Sequence, residues 1–359
     1  MGRGGTGGRR RPAIDCYVAT EWGLEDLAAR EAGQYAARVE CALPERVLLR
    51  GVREPRRLLA CRLATDVFIL LAELTDVTRS RHELGRLFDA ITPARVEFAI
   101  AAWRDASPRA TQRARVTYRV IARMEGRYNF LRTDLGTAVA RALARRLPAA
   151  WRLVEDGADA EFWVELSGGR CVVGLRVSPQ TMRHRPYKVR HIPASLRPAM
   201  AHAMVLLTRP ASGDRFCDPM CGAGTLLRER AAAGPYGQLL GGDLNPRAVA
   251  AARHNVAGLP SVRIERWDAT QLPLEAGSMT AMAVNPPYGR KLPAQIEQLY
   301  PALLREAARV LRAGSRLVVL SDQPWVVRRA AEPFGFCPEQ SLRVRLRGHP
   351  AVICVFRRS

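Results

Sequence analysis

Asp214-Arg215-Phe216-Cys217-Asp218-Pro219-Met220-Cys221-Gly222-Ala223-Gly224-Thr225 reads as a short strand running into a glycine-bearing turn. A helix is predicted directly after it, over 226–233. Gly222 and Gly224 let the backbone turn tightly and approach a ligand closely. A nucleotide site that grips a pyrophosphate prefers three glycines at the free N-terminus of a helix. Here an acid, Asp218, precedes the glycines instead, which suits a ligand carrying an ammonium group.

Working outward from this turn, strands alternate with helices from about Ala194 to the C-terminus. Strands are predicted near 214–217, 239–243, 262–267, 280–284 and 315–321. Two further runs, 341–347 and 351–357, are joined by Gly348-His349-Pro350 and read as a closing antiparallel hairpin. The pattern is that of a doubly wound, seven-stranded α/β sheet, which binds ligands at the carboxyl ends of its strands. The second strand ends in Gly241-Gly242-Asp243, where an acid accepts hydrogen bonds from ribose hydroxyls. Asn245 caps the next helix, and Pro246 is favourable at its first position. The third strand ends in Trp267-Asp268-Ala269, an acid for an adenine amino group beside a backbone N–H. Three acids at successive strand ends fit S-adenosylmethionine, whose ammonium group NAD lacks.

Asn285-Pro286-Pro287-Tyr288-Gly289 ends the fourth strand and is the most specific motif in the chain. An exocyclic amine on a base is a poor nucleophile, because its lone pair is delocalised into the ring. Catalysis must orient both amine hydrogens and aim the lone pair. The Asn285 side-chain oxygen and the Pro286 carbonyl supply two acceptors, the prolines fix the backbone, and Tyr288 offers an aromatic face for a flipped base. The candidate catalytic residues are therefore Asn285, Pro286 and Tyr288.

The chain has 359 residues and a net charge of +22, enough cationic excess to favour a polyanionic partner. All the cations are arginine except Lys188 and Lys291. That preference looks like base composition, but the excess over Asp and Glu does not. Arg141 and Arg145 share one side of a helix predicted from about Thr133 to Leu147. Arg183, Arg185, Lys188 and Arg190 lie in a proline-broken stretch without acids. These six are the candidate RNA-binding residues. The cysteines are scattered without metal-ligand spacing, so no metal site is expected. No run is apolar enough to span a bilayer, and the Gly/Arg start is no signal peptide, so a cytoplasmic protein is expected.

With these motifs in place, residues 194–359 resemble the Rossmann-fold methyltransferases that act on amino nitrogens. The whole chain resembles the THUMP-domain RNA guanine-N2 methyltransferases. Arg123-Met124-Glu125-Gly126-Arg127-Tyr128-Asn129-Phe130 and Glu161-Phe162-Trp163-Val164-Glu165-Leu166 are similar to THUMP segments. Arg185-Pro186-Tyr187-Lys188-Val189-Arg190 resembles the entry to the catalytic domain of the enzymes that make N2-methylguanosine at position 6 of tRNA. The resemblance implies a disordered Gly/Arg tail (1–12), a ferredoxin-like domain (13–75), a THUMP domain (76–177), a basic linker (178–194) and a Rossmann-fold catalytic domain (195–359). It also implies a cofactor site in which Leu196 faces the ligand. Asp218, Cys221, Gly222, Ala223 and Gly224 line its first turn. Asp243, Leu244, Asp268, Ala269 and Asn285 complete it. The implied substrate is tRNA, with no obligate protein partner.

Other readings stay open at this stage. Asparagine before Pro-Pro-Tyr favours position 6 over position 10 of tRNA, but 23S rRNA guanine-N2 enzymes share it. So do the glutamine methyltransferases of release factors. A DNA adenine-N6 enzyme and a non-catalytic RNA-binding protein complete the alternatives.

Overall fold

The computed structural model describes residues 13–106, 115–179, 182–193, 195–287, 293–346 and 348–359. The chain forms two compact units. One comprises the residues up to Thr20 with Glu25–Met182, the other Glu21–Leu24 with Arg183–Ser359.

The N-terminal unit is built on one eight-stranded sheet. Its strands are β1 (Ile14–Ala19), β2 (Arg38–Leu43), β3 (Arg46–Val52), β4 (Asp66–Leu74), β5 (Val116–Met124), β6 (Trp151–Leu153), β7 (Ala160–Ser167) and β8 (Arg170–Arg176), in the order β2-β3-β1-β4-β8-β7-β5-β6. β4 pairs antiparallel with β8, so the segments read as 13–75 and 76–177 share a single sheet. β7 and β8 are joined by Gly168 and Gly169 at φ 56° and 76°. Two successive positive-φ residues make the tight hairpin turn that the sequence suggested. Helices α1 (Glu25–Gly33), α2 (Glu83–Ala90), α3 (Pro93–Ala106) and α4 (Arg132–Ala144) complete the unit. Asp134 anchors the start of α4 by accepting from the Leu131 amide at 2.9 Å.

The C-terminal unit holds seven strands: β9 (Arg215–Asp218), β10 (Gln238–Asp243), β11 (Val262–Arg266), β12 (Met279–Val284), β13 (Leu311–Ser321), β14 (Phe336–Leu346) and β15 (His349–Arg358). Their order is β11-β10-β9-β12-β13-β15-β14. The first five run parallel, and β15 inserts antiparallel beside β13. The order reverses between β9 and β12, which makes that gap the switch point where doubly wound sheets bind ligands. Five helices accompany these strands: α5 (Pro198–Leu207), α6 (Thr225–Ala232), α7 (Pro246–Asn255), α8 (Pro293–Val310) and α9 (Pro324–Ala331). α5 is apolar nearly all round and buried along almost its whole length, as such a helix must be. The core on one side of the sheet runs from Trp267 and Met282 to Tyr300, Leu304 and Phe356.

Arg230 on α6 is fully buried, and its guanidinium donates to Asp214 Oδ2 at 2.8 Å and to the Ala211 carbonyl at 2.6 Å. It thereby fixes the chain that enters β9. Among the described residues no helix is long and apolar enough to cross a membrane, and no cluster of His, Cys, Asp and Glu could hold a metal.

Candidate active site

The carboxyl ends of β9, β10 and β12 surround a pocket of about 370 Å³. Its floor is the turn after β9. Gly222 and Gly224 sit at φ 52° and 78°, conformations that side chains rarely adopt. The turn is tied to β10 twice. The Cys221 amide donates to the Gly242 carbonyl at 2.8 Å, and the Gly222 amide to Asp243 Oδ2 at 3.0 Å. A Cβ on Gly242 would collide with the Trp267 indole. That indole donates to the Pro219 carbonyl at 2.9 Å, fixing the turn's first residue. Asn245 caps α7 as expected, accepting from the Arg247 amide at 2.9 Å.

Asp218 is buried to 1% exposure. Burial pushes its carboxyl well above the usual range, and the Asp243 charge adds to the rise. Its hydrogen-bond partner is the Met220 amide, at 3.3 Å. A desolvated carboxylate in a pocket wall is stabilised by a cation placed against it. Asp243 keeps acceptor capacity beyond its two backbone donors, Gly222 and Asn245. This donor set fits S-adenosylmethionine, which brings a cationic end and a ribose.

Residues 185–193, with Ser195 and Leu196, form a strap over the pocket, to which Ile192, Pro193, Ser195 and Leu196 contribute. Two buried residues clasp it. Asn255 donates to the carbonyls of Arg190 and Ala223 at 2.8 and 2.9 Å, and accepts from the Arg190 amide at 2.9 Å. Glu229 accepts from the Tyr187 hydroxyl at 2.6 Å and pairs with His202 at 3.2 Å. Lys188 donates to the Leu196 carbonyl at 2.5 Å, and burial lowers its amine from 10.5 to about 8.

The Asn285 side-chain oxygen is buried and has no hydrogen-bond partner among the described residues. Asn285 and Pro286 line the same pocket as Asp218 and Asp243. Tyr288 lies outside the described residues. Of the residues expected at the cofactor, Leu196, Asp218, Cys221, Gly222, Ala223, Asp243 and Asn285 meet around the pocket, while Gly224, Leu244, Asp268 and Ala269 are not in its wall. Leu244 is exposed, and Asp268 is exposed with its carboxylate turned onto Thr270. Met220, Thr225 and Leu226, which lie in or beside the glycine-turn motif, and the strap residues Ile192, Pro193 and Ser195 were not singled out as cofactor residues. Among the residues expected to bind RNA, Arg141, Arg145, Arg183 and Arg190 are exposed and Arg185 is half-buried. Lys188, expected at the RNA surface, turns its amine inward because the strap folds back onto α6.

Residues 185–349 match a family model described as UPF0020, RMKL-like methyltransferase domain. The match falls within the C-terminal unit, which thus resembles a methyltransferase domain. The donor set of its pocket fits S-adenosylmethionine. A Bos taurus protein named tRNA (guanine(6)-N(2))-methyltransferase THUMP3 is 31% identical over 191 residues, which are 48% of this chain and 37% of that protein. A Thermus thermophilus tRNA (guanine(6)-N2)-methyltransferase is 29% identical over 222 residues, 60% of this chain and 65% of its own. The chain thus spans 37% to 65% of the length of these relatives. The crystal structure of TrmN from Thermus thermophilus superposes with a TM-score of 0.79 at 26% identity, covering 96% of this chain and 100% of that one. With 96% of this chain covered, the likeness extends beyond the C-terminal unit.

Proposed function

We propose that the protein methylates the exocyclic N2 of a guanosine in tRNA, at position 6 of the acceptor stem. The observation that carries this reading is the buried, unpartnered Asn285 oxygen in the wall of the cofactor pocket. An unpaired buried acceptor costs about 1–3 kcal/mol, so a ligand donor that meets it is strongly favoured. An amine hydrogen of the substrate is such a donor, and the Pro286 carbonyl takes the second. S-adenosylmethionine supplies an electrophilic methyl on its sulfonium. Asp218 holds the cofactor's ammonium and Asp243 its ribose, while the strap keeps water away. With both hydrogens held, the N2 lone pair points at the methyl. Attack would move that methyl to N2 as its bond to sulfur breaks, and the amine's extra proton would leave to solvent. Positioning and electrostatics supply the rate gain. Arg141 and Arg145 on α4, with Arg183 just before the strap and Arg190 on it, bind RNA phosphates.

The names of the two relatives support tRNA and position 6. Unmodified tRNA transcripts with guanosine or adenosine at position 6 test the site. Methyl incorporation that vanishes with adenosine supports it. Incorporation that persists places the target elsewhere in the RNA.

A further inference from the structure

β12 and β13 are parallel neighbours, with Val284 level with Val319. Asn285 follows Val284 directly, so continuing the register by one residue sets it level with Leu320. Asp322 stands two residues beyond Leu320, just past Ser321 at the end of β13. Side chains two residues apart return to the same face of a sheet. Asp322 is thus displaced from Asn285 by one strand spacing, about 5 Å, and about 7 Å along the strand. Both residues carry a side-chain oxygen that is buried and has no partner among the described residues.

Structural duties for Asp322 are taken by its neighbours. Ser321 Oγ meets the Tyr300 hydroxyl at 2.9 Å and accepts from the Gln323 amide at 3.0 Å. Gln323, not Asp322, occupies the N-cap of α9, and no side chain caps that helix. Asp322 Oδ1 therefore stands just past the carboxyl end of β13 as a buried acceptor without a donor among the described residues.

We infer that Asp322 reads the N1–H of the target guanine while Asn285 and Pro286 hold its N2 amine. The inference rests on the proposed reaction at guanine N2. Guanine presents N1–H immediately beside its amine, two adjacent donors on one edge. A carboxylate is acceptor-only and matches that edge. Adenine presents an unprotonated N1 beside its amine, and a carboxylate facing it would be left buried without a donor. Asp322 is then the residue that excludes adenine, by the penalty of an unpaired buried polar group rather than by shape.

The discriminating probe is 2-aminopurine, which keeps the 2-amine but has an acceptor at N1. The guanosine methylated by the wild-type protein is mapped in a tRNA transcript and replaced by 2-aminopurine. Asp322→Asn turns part of the side chain into a donor. The ratio of kcat/KM for guanosine over 2-aminopurine should fall at least tenfold in Asp322→Asn, and also fall in Asp322→Ala. Because both substrates meet the same enzyme, the ratio does not depend on how much of the variant is folded. A ratio unchanged from wild type in both variants overturns the role of Asp322. If the wild-type protein forms no N2-methylguanosine at all, the reaction itself is wrong, and this inference falls with it.

Discussion

Asn255 and Arg190 exchange two hydrogen bonds, 2.9 Å from the Arg190 amide to Asn255 Oδ1 and 2.8 Å from Asn255 Nδ2 back to the Arg190 carbonyl. The same Nδ2 reaches the Ala223 carbonyl in the glycine turn. One buried side chain at the end of α7 therefore joins the strap to the floor of the pocket. Asn255→Ala strands the buried Ala223 carbonyl and the part-buried Arg190 amide and carbonyl, at about 1 kcal/mol each. It is expected to lower stability by about 3 kcal/mol and to weaken S-adenosylhomocysteine binding about tenfold. Thermal melts and calorimetric titration check both.

Asn285 and Asp243 occupy the same pocket with different duties, and kinetics should separate them. Asn285→Ala is expected to reduce kcat by about 10²-fold or more, as the loss of one positioned acceptor does, with cofactor affinity changed only a few-fold. Asp243→Ala removes a ribose acceptor and also the tether on Gly222. It should raise the KM for S-adenosylmethionine more than it lowers kcat. Single-turnover assays with saturating cofactor distinguish the two patterns.

Lys188 is a pH-dependent part of the strap. Burial lowers its folded-state pKa from 10.5 to about 8. The unfolded chain therefore binds more protons between those values, and stability contributed by this site rises with pH from about 8 to 10.5. Below about 8 the cost of the buried charge is fully present. Melting temperatures of wild type and Lys188→Met, compared across that range, should converge as pH rises, with the variant gaining relative to wild type at neutral pH.

Arg141 and Arg145 lie exposed on α4. Replacing both with Glu should weaken RNA binding and reduce the slope of log affinity against log salt by about 1 for each phosphate that is no longer neutralised. Filter binding of tRNA over a range of salt measures this. An unchanged slope removes this helix face from the RNA surface.

The strand ends and the glycine turn were legible because their signals are local: an apolar run, an acid, two glycines, a cap followed by proline. The pairing of β4 with β8 was not legible, since it joins Leu74 to Cys171 across the chain and no local pattern encodes it. The charge count placed Lys188 in a basic stretch but could not say which way it points. Its direction follows from Tyr187 and Arg190 being clasped by Glu229 and Asn255, residues from two later helices. Asp268 was expected at the cofactor by analogy with the two preceding strand ends. The short turn to Thr270 gives one of its carboxylate oxygens donors within the protein, which no sequence pattern marked. Asp322 carried no motif at all, and only the register of β12 against β13 brings it beside Asn285.

The central claim is tested most directly by giving the purified protein methyl-labelled S-adenosylmethionine together with unmodified tRNA. Parallel reactions contain 23S rRNA, DNA or release factor in place of tRNA, and the products are digested to nucleosides and amino acids. The account predicts label in N2-methylguanosine from tRNA, and none there for Asn285→Ala. Label in N6-methyladenine or in glutamine, or wild-type incorporation by the Asn285→Ala variant, would contradict it.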